Sequence, residues 1–170
     1  MILEVLTHPD PLLKQKSEAI TEITPEIRTL AADMIETMYK QQGIGLAAPQ
    51  VGKQIRLIVI DLSGPELKEE PQVFVNPTLE LIGEKQKAEE GCLSVPDYRN
   101  TLVRHDKVLL KATDLDNNKI ELEASDLFAI CLQHECDHLD GILFIDRMSR
   151  LKRSLYDARL KKQLKAEKQQ

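Results

Sequence analysis

The clearest pattern of hydrophobic and polar positions lies between residues 125 and 141, in SDLFAICLQHECDHLDG. Apolar residues and two histidines recur there at steps of three and four, which predicts a helix with one face directed towards the core. That face carries Leu127, Ile130, Cys131, His134 and His138. Ser125 is a suitable N-cap and Gly141 a suitable stop. The two histidines therefore lie one turn apart on a face that would normally be buried.

Shorter patterns predict the remaining elements. Residues 1–24 read as irregular, and Thr24 and Pro25 begin an amphipathic helix that runs to about Lys40. Apolar runs predict strands at 56–62, 73–76, 79–82, 107–113, 119–122 and 142–145, and residues 63–71 read as an exposed loop. Ser149 can cap a final helix, and the residues expected on its inner side are Leu151, Leu155, Ala158, Leu160 and Leu164. The sum is an α+β fold in a single domain, residues 1–170, with antiparallel strands packed around a central HExxH helix between an N-terminal and a C-terminal helix.

Composition adds the setting. The chain has 170 residues, of which 42% are hydrophobic and 30% charged, as in an ordinary globular domain. No apolar run is long enough to span a bilayer, and the N-terminus lacks the pattern of a secretory signal. Three cysteines, an odd number, do not suggest a disulfide framework, so we expect a cytoplasmic protein with no membrane partner.

The formal net charge of −5 is unevenly distributed. Residues 147–170 contain nine lysines and arginines against two acidic residues, a local charge of +7, which leaves −12 for residues 1–146. A basic tail on an acidic body suggests a polyanionic partner for the tail. A helix whose charges are simply solvated is an equally good interpretation of the same residues.

The central helix contains His134, Glu135 and His138 in the pattern H-E-x-x-H. Two imidazoles one turn apart can hold one cation, and the carboxylate can move a proton of its bound water. Hydrogen-bonded core histidines are the alternative, and a third ligand is needed to decide. Cys92 is the best candidate, because a thiolate with two imidazoles leaves one position of the metal open. Cys131 is an alternative third ligand, but it is better explained as part of a pocket wall. Cys136 is better explained as a thiol packed in the core.

Residues 43–50, GIGLAAPQ, form a second unusual stretch. Two glycines, small residues and a proline predict a close-lying segment whose backbone can approach a ligand. Gln50 is its only polar side chain able to reach one. A plain turn is the simpler alternative, and a phosphate loop is disfavoured because no third spaced glycine and no Lys-Ser/Thr pair follow.

Three segments, GIGLAAPQ at 43–50, EGCLS at 90–94 and QHECDHLDG at 133–141, together resemble the peptide deformylase family. The segments HPD at 8–10 and IVID at 58–61 match as well. The resemblance implies an enzyme that removes the formyl group from the N-terminal formylmethionine of newly made polypeptides. It implies that Cys92, His134 and His138 bind the metal and that Glu135 is the general acid/base.

The same resemblance implies further roles. Gln50 and the backbone N–H of Leu93 would donate to the developing oxyanion, and the backbone of Ile44 and Gly45 would pair with the substrate peptide. Arg99 would line the peptide channel, and the methionine pocket would be walled by Leu127, Ile130, Cys131 and His134. Fe²⁺ is the implied metal, with Zn²⁺, Ni²⁺ or Co²⁺ able to replace it. The implied partners are nascent formylmethionyl polypeptides. From the charge of the basic tail we add the hypothesis that it docks at the ribosome, whose RNA supplies phosphate charge, and DNA is not expected.

Two rival functions share parts of this pattern. A zinc endopeptidase also uses H-E-x-x-H, but it usually takes a third His or Glu further along, and no histidine follows His138. The other rival is a non-catalytic metal-binding or peptide-binding module. A fourth protein ligand such as Cys131, which would close the coordination sphere, would favour that module.

Overall fold

The computed structural model describes residues 1–169 as an antiparallel five-stranded sheet with helices packed against it. The strands follow in chain order across the sheet: β1 Gly45–Ala47, β2 Leu57–Ile60, β3 Gln72–Cys92, β4 Val95–Thr113 and β5 Lys119–Ser125. The helices are α1 Pro25–Lys40, α2 Gly64–Leu67, α3 Asp126–Leu139 and α4 Arg150–Lys168, with 3₁₀ turns at Pro11–Lys14, Ala48–Val51 and Phe144–Arg147. The predicted α+β class is confirmed.

Helix α3 runs through the core and packs against one face of the sheet. Residues 131–139 of α3 are all buried, and its apolar side chains share a cluster with Ile58, Val108 and Leu110 of the strands. Gly141 has a positive φ of 75° and ends the helix as predicted, with its N–H donating to the carbonyl of His138 at 3.1 Å. Ser125 stands at the N-cap, but its side chain makes no capping hydrogen bond, so that part of the prediction is wrong.

Helix α1 begins as the sequence predicts. The Thr24 hydroxyl accepts a hydrogen bond from the N–H of Ile27 at 3.3 Å, and Pro25 takes the first helical position. Met34 and Met38 are fully buried against the strands, in a cluster that includes Leu57 and Val59. The helix covers one face of β1 and β2, so the segment at 43–50, which contains β1, packs against α1.

The predicted strands at 73–76 and 79–82 are parts of one longer strand. Strands β3 and β4 form a long hairpin, and its register shifts near Ile82 and near Gly91. Most of residues 95–106, for which no strand was predicted, pair with residues 85–92. Many side chains of this ribbon are exposed on both faces, so the alternation that reveals a half-buried strand is weak there.

Two other predictions near the C-terminus are wrong. Residues 142–145 are no strand: a 3₁₀ turn starts at Phe144, and the Leu143 N–H donates to Asp146 at 2.9 Å. A short buried apolar run does not reveal its secondary structure by periodicity. The loop expected at 63–71 contains the short helix α2.

Helix α4 is capped by Ser149 as predicted, but of the residues expected on its inner side only Leu160 packs against the core. The Ser149 hydroxyl accepts from the N–H of Lys152 at 3.2 Å. Leu151 and Leu155 are 69% and 63% exposed, whereas Tyr156 is buried against Tyr98 with ring centroids 4.6 Å apart. An aromatic anchor therefore sets the rotation of α4.

None of the helices within residues 1–169 has the length and apolar character needed to cross a membrane.

Candidate metal centre and active site

Three side chains from distant parts of the chain converge beside α3. Cys92 lies at the end of β3, and His134 and His138 lie one turn apart on α3. The Cys92 Sγ is 3.3 Å from the His138 Nε2, and the two Nε2 atoms are 3.3 Å apart. One ligand atom from each of the three residues lies within 4.8 Å of the others. The structure thus brings together the three ligands that the sequence suggested.

The residues at this point fit a divalent metal ion. His134 Nδ1 lies 2.9 Å from a Glu90 oxygen, so its Nε2 is left facing Cys92 and His138. A thiolate and two imidazoles are a donor set that suits zinc and other borderline-soft metals. Cys131 does not belong to the converging group, and within residues 1–169 that group includes no fourth protein ligand.

Glu135 lies beside these donors and is buried. Its Oε1 has no hydrogen-bond partner within residues 1–169, which is unusual for a buried carboxylate oxygen. Burial raises the pKa of Glu135 to about 7, although the neighbouring His134 opposes this. An unpaired, buried carboxylate at the end of a cavity is an acceptor available to a ligand or to water.

The two imidazoles differ in their electrostatic environment. Burial lowers the pKa of both rings, but Glu135 and Cys92 outweigh it at His134 and raise that pKa well above its usual range. Burial and the positive charge of His134 hold the pKa of His138 well below its usual range. A neutral imidazole is the form that binds a cation, so a metal ion held by both rings would displace the extra proton from His134.

A buried chain of ion pairs supports His134 from behind. The Arg104 guanidinium donates to both oxygens of Glu90, at 2.8 and 2.9 Å, and to Asp137 at 2.6 Å. Arg147 adds two hydrogen bonds to Asp137, at 2.6 and 2.8 Å. Burial alone would raise the pKa of Glu90, but Arg104 and His134 outweigh it and lower that pKa to about 2.

Glu90 thus stays charged and fixes the ring orientation of His134, as carboxylates behind metal-binding histidines commonly do. Sequence reasoning missed the roles of Glu90, Arg104 and Asp137. The available signals were weak: an acidic residue two positions before Cys92, and a carboxylate next to His138 in a helix that is buried on most sides.

Gln50 is held with its amide nitrogen directed at the same centre. Its Oε1 accepts from the N–H of Ala47 at 2.9 Å, so the Nε2 is the atom that reaches Ser94 Oγ at 3.1 Å and Cys92 Sγ at 3.5 Å. Ser94, which is fully buried, was not singled out from the sequence. The amide can therefore donate a hydrogen bond beside the sulfur of Cys92.

A cavity of about 640 Å³ opens onto this centre. Gln50, Cys92, His134 and Glu135 line its inner part, whereas His138 is more deeply buried behind them. All of the residues expected to contact substrate also line it: Ile44, Gly45, Leu93, Arg99, Leu127, Ile130 and Cys131. A side chain at residue 45 would clash with the Glu135 carboxylate and would displace that group from its present position.

An α+β domain with a Cys-His-His donor set and a buried glutamate at the end of a cavity has the arrangement of a metallohydrolase. Comparison with known proteins identifies the family. Residues 2–154 match the model of the family described as Polypeptide deformylase. The chain belongs to the peptide deformylase family.

Individual relatives agree with this assignment. The peptide deformylase of Psychrobacter cryohalolentis is 49% identical over 170 residues, covering 99% of this chain and 91% of that protein. The crystal structure of a peptide deformylase from Legionella pneumophila has a TM-score of 0.90 at 39% identity and covers 100% of this chain and 99% of that one. The peptide deformylase of Ehrlichia chaffeensis in complex with actinonin has a TM-score of 0.87 at 38% identity, covering 95% and 97%.

Proposed function

We propose that this protein hydrolyses the formamide bond of formylmethionine at the N-terminus of newly synthesised polypeptides and releases formate. The observation that carries the proposal is the convergence of Cys92, His134 and His138 beside the unpaired carboxylate of Glu135, at the inner end of a cavity. Membership of the peptide deformylase family supports deformylation as the reaction that this site catalyses. The enzyme is a metal-dependent hydrolase.

Cys92, His134 and His138 are the residues that would hold the metal ion. We expect Fe²⁺ in the cell, and Zn²⁺, Ni²⁺ or Co²⁺ in preparations, because the same three donors suit all of them. A bound divalent ion supplies positive charge that acidifies water and polarises a carbonyl oxygen. A ferrous ion with a thiolate ligand is sensitive to oxygen, so purification in air should favour the other metals.

Glu135 is the proposed general base and then the general acid. Its Oε1 is buried and unpaired within the described residues, so it is free to accept the proton of the attacking water. It then returns that proton to the departing amine. The second carboxylate oxygen, Oε2, lies against Gly45, which fixes the position of the group at the cavity wall.

Gln50 is the proposed donor to the oxygen that gains negative charge, together with the backbone N–H of Leu93. The hydrogen bond from Ala47 to its Oε1 orients the amide so that the Nε2 is presented. A donor of this kind typically contributes a factor of about 10² to 10³ in rate. Because the donor is already held in place, it needs no reorganisation during the reaction.

The substrate peptide would bind as an extended chain along β1. This strand is at one end of the sheet order and within residues 1–169 pairs only with β2, so the backbone of Ile44 and Gly45 has an edge available for pairing. Ile130 and Cys131 would wall the methionine pocket, with the half-exposed Leu127 at its rim. Arg99, which lies 3.4 Å from Glu89, would contact the peptide at the mouth of the cavity.

The basic helix α4 would dock this cytoplasmic enzyme at the ribosome, where its substrates emerge and RNA provides phosphate charge. Only one of its residues, Tyr156, is buried, so most of its cations face away from the protein. Replacing the exposed Lys161, Lys162 and Lys165 by glutamate should reduce co-sedimentation with ribosomes, most strongly at low salt. Unchanged co-sedimentation would mean that α4 is only a packing helix.

Actinonin gives a pharmacological test, since the relatives from Ehrlichia chaffeensis and Synechococcus elongatus have been crystallised with it. We expect it to bind this chain in the same cavity and to inhibit it. The bound compound should perturb Ile130 and Cys131 in spectra of the labelled protein.

The decisive experiment measures formate released from formyl-Met-Ala-Ser under anaerobic conditions, with metal analysis of the same sample. We expect formate in amounts equal to the free N-termini formed. Cleavage of internal peptide bonds without formate would favour an endopeptidase instead. Bound metal without turnover of any peptide would favour a non-catalytic binding module.

A further inference from the structure

A second cavity, of about 560 Å³, lies against the side of α3 that faces away from the metal centre. Gln133, Cys136 and Asp137 contribute to its wall from α3, and the remainder comes mainly from the β3–β4 ribbon. It shares no lining residue with the metal cavity. Its volume is within the range of ligand-binding sites, about 300–1,000 Å³. The proposed deformylation makes no use of it.

The floor of this second cavity is aliphatic. Leu79, Leu81 and Val103 line it together with Cys136. Leu81 and Val103 are 50% and 53% exposed, so the ribbon presents apolar surface to solvent inside a concave site. Such a surface is stabilised when an apolar body covers it.

The cationic side chains around the second cavity outnumber their carboxylate partners by one. Three arginines in its wall are matched by three carboxylates: Arg56 with Asp140 at 3.1 Å, Arg104 with Glu90 at 2.8 Å, and Arg147 with Asp137 at 2.6 Å. Lys85 is exposed at the same cavity and takes part in none of these pairs. The Arg147 Nη1 is also free of them, since Asp137 takes Nε and Nη2. This local excess of positive charge stands out on a body whose sequence is strongly acidic.

We propose that the second cavity binds a small amphipathic monocarboxylate, with its charge at Lys85 and its aliphatic body on Leu81 and Val103. One unmatched cation calls for one negative charge, and the apolar floor calls for a hydrocarbon portion. A hydrogen bond to an ionised partner is stronger than one between neutral groups, so recognition depends on the carboxylate.

The test is a titration of the zinc-loaded full-length chain with octanoate, followed by methyl ¹H–¹³C NMR. We expect saturable shifts at Leu79, Leu81 and Val103. Octanamide has the same chain without the charge, and it should bind about tenfold more weakly. Shifts confined to Leu127 and Ile130, which line the metal cavity, would overturn the proposal, as would equal affinities for octanoate and octanamide.

Matched variants locate the charge and the apolar floor. Lys85→Gln should weaken octanoate binding about tenfold, whereas Lys87→Gln, an exposed lysine of the same strand outside the cavity, should change it less than about twofold. Leu81→Asp should abolish binding, whereas Leu109→Asp, on a neighbouring strand outside the cavity, should preserve it. Equal effects of Lys85→Gln and Lys87→Gln would show that the carboxylate of the ligand does not bind at Lys85.

Discussion

Two carboxylates of α3, Glu135 and Asp137, are two residues apart and both buried, yet their surroundings are opposite. Glu135 faces the metal cavity and has an oxygen without any hydrogen-bond partner within residues 1–169. Asp137 faces the second cavity and accepts three hydrogen bonds from Arg104 and Arg147. The difference indicates where chemistry can occur on this helix. An unpaired buried carboxylate is available to a substrate, whereas a fully hydrogen-bonded carboxylate stabilises the fold.

The comparison extends to the residues around each carboxylate. On the metal side, Cys92, His134 and His138 direct ligand atoms towards one another, and within residues 1–169 the group includes no arginine or lysine. On the other side, Gln133 donates to the carbonyls of His105 and Ala129, and every arginine has an acidic partner. The two sides meet at Glu90, which binds Arg104 and His134 together.

The largest effect should come from Glu135→Gln. The substitution keeps the shape but removes the proton acceptor, so we expect turnover to fall by a factor of about 10² to 10⁴. Metal content and thermal stability should be close to those of the unaltered chain, because no hydrogen bond to Oε1 is lost. Formate release, metal analysis and a melting curve on one preparation check this. A rate near that of the unaltered enzyme would refute the assigned role of Glu135.

Asp137→Asn should have the opposite balance of effects. It leaves Arg104 buried with only Glu90 as a partner and Arg147 without its carboxylate, and breaking a buried pair in this way typically costs about 3–5 kcal/mol. Urea denaturation followed by circular dichroism measures the loss. Folded enzyme should retain much of its turnover at saturating substrate. If Asp137→Asn abolished turnover without loss of stability, the distinction between the two carboxylates would fail.

Ser94→Ala should give a smaller effect on the metal side. The Ser94 hydroxyl accepts from the Gln50 amide at 3.1 Å, so its removal loosens the donor without removing it. We expect kcat to fall about tenfold, less than the factor of about 10² to 10³ for Gln50→Ala. KM should change little. Ser94→Thr should restore part of the rate, and a loss seen only in KM would contradict the positioning role.

The two histidines and the central helix could be predicted because they depend on local spacing. His134 and His138 share a face in any regular helix, and the caps at Thr24, Ser149 and Gly141 follow from side-chain chemistry within a few residues. Cys92 came from its motif, and the structure brings it to the two histidines. The roles given to Glu135, Gln50 and Leu93 rest on the family and remain predictions.

Local spacing failed where packing decides the structure. The face of α4 that meets the protein is set by Tyr156, whose buried ring is tilted against that of Tyr98, whereas Leu151 and Leu155 remain exposed. The strand predicted at 142–145 is wrong because a short apolar run has no periodicity that distinguishes a strand from a turn.

The sequence by itself determined the α+β class, the helix that carries two histidines, and a thiol able to join them. Only the tertiary structure decided that Glu90 would hold His134 and that Arg104 would connect Glu90 to Asp137. It also decided that Ser94 would hold Gln50, and that a second cavity would open behind α3. The physical reason is that these contacts join residues 14 to 44 positions apart. The pairing of the buried charges depends on the register of the strands and on the rotation of the helix. No local sequence pattern determines that register or that rotation.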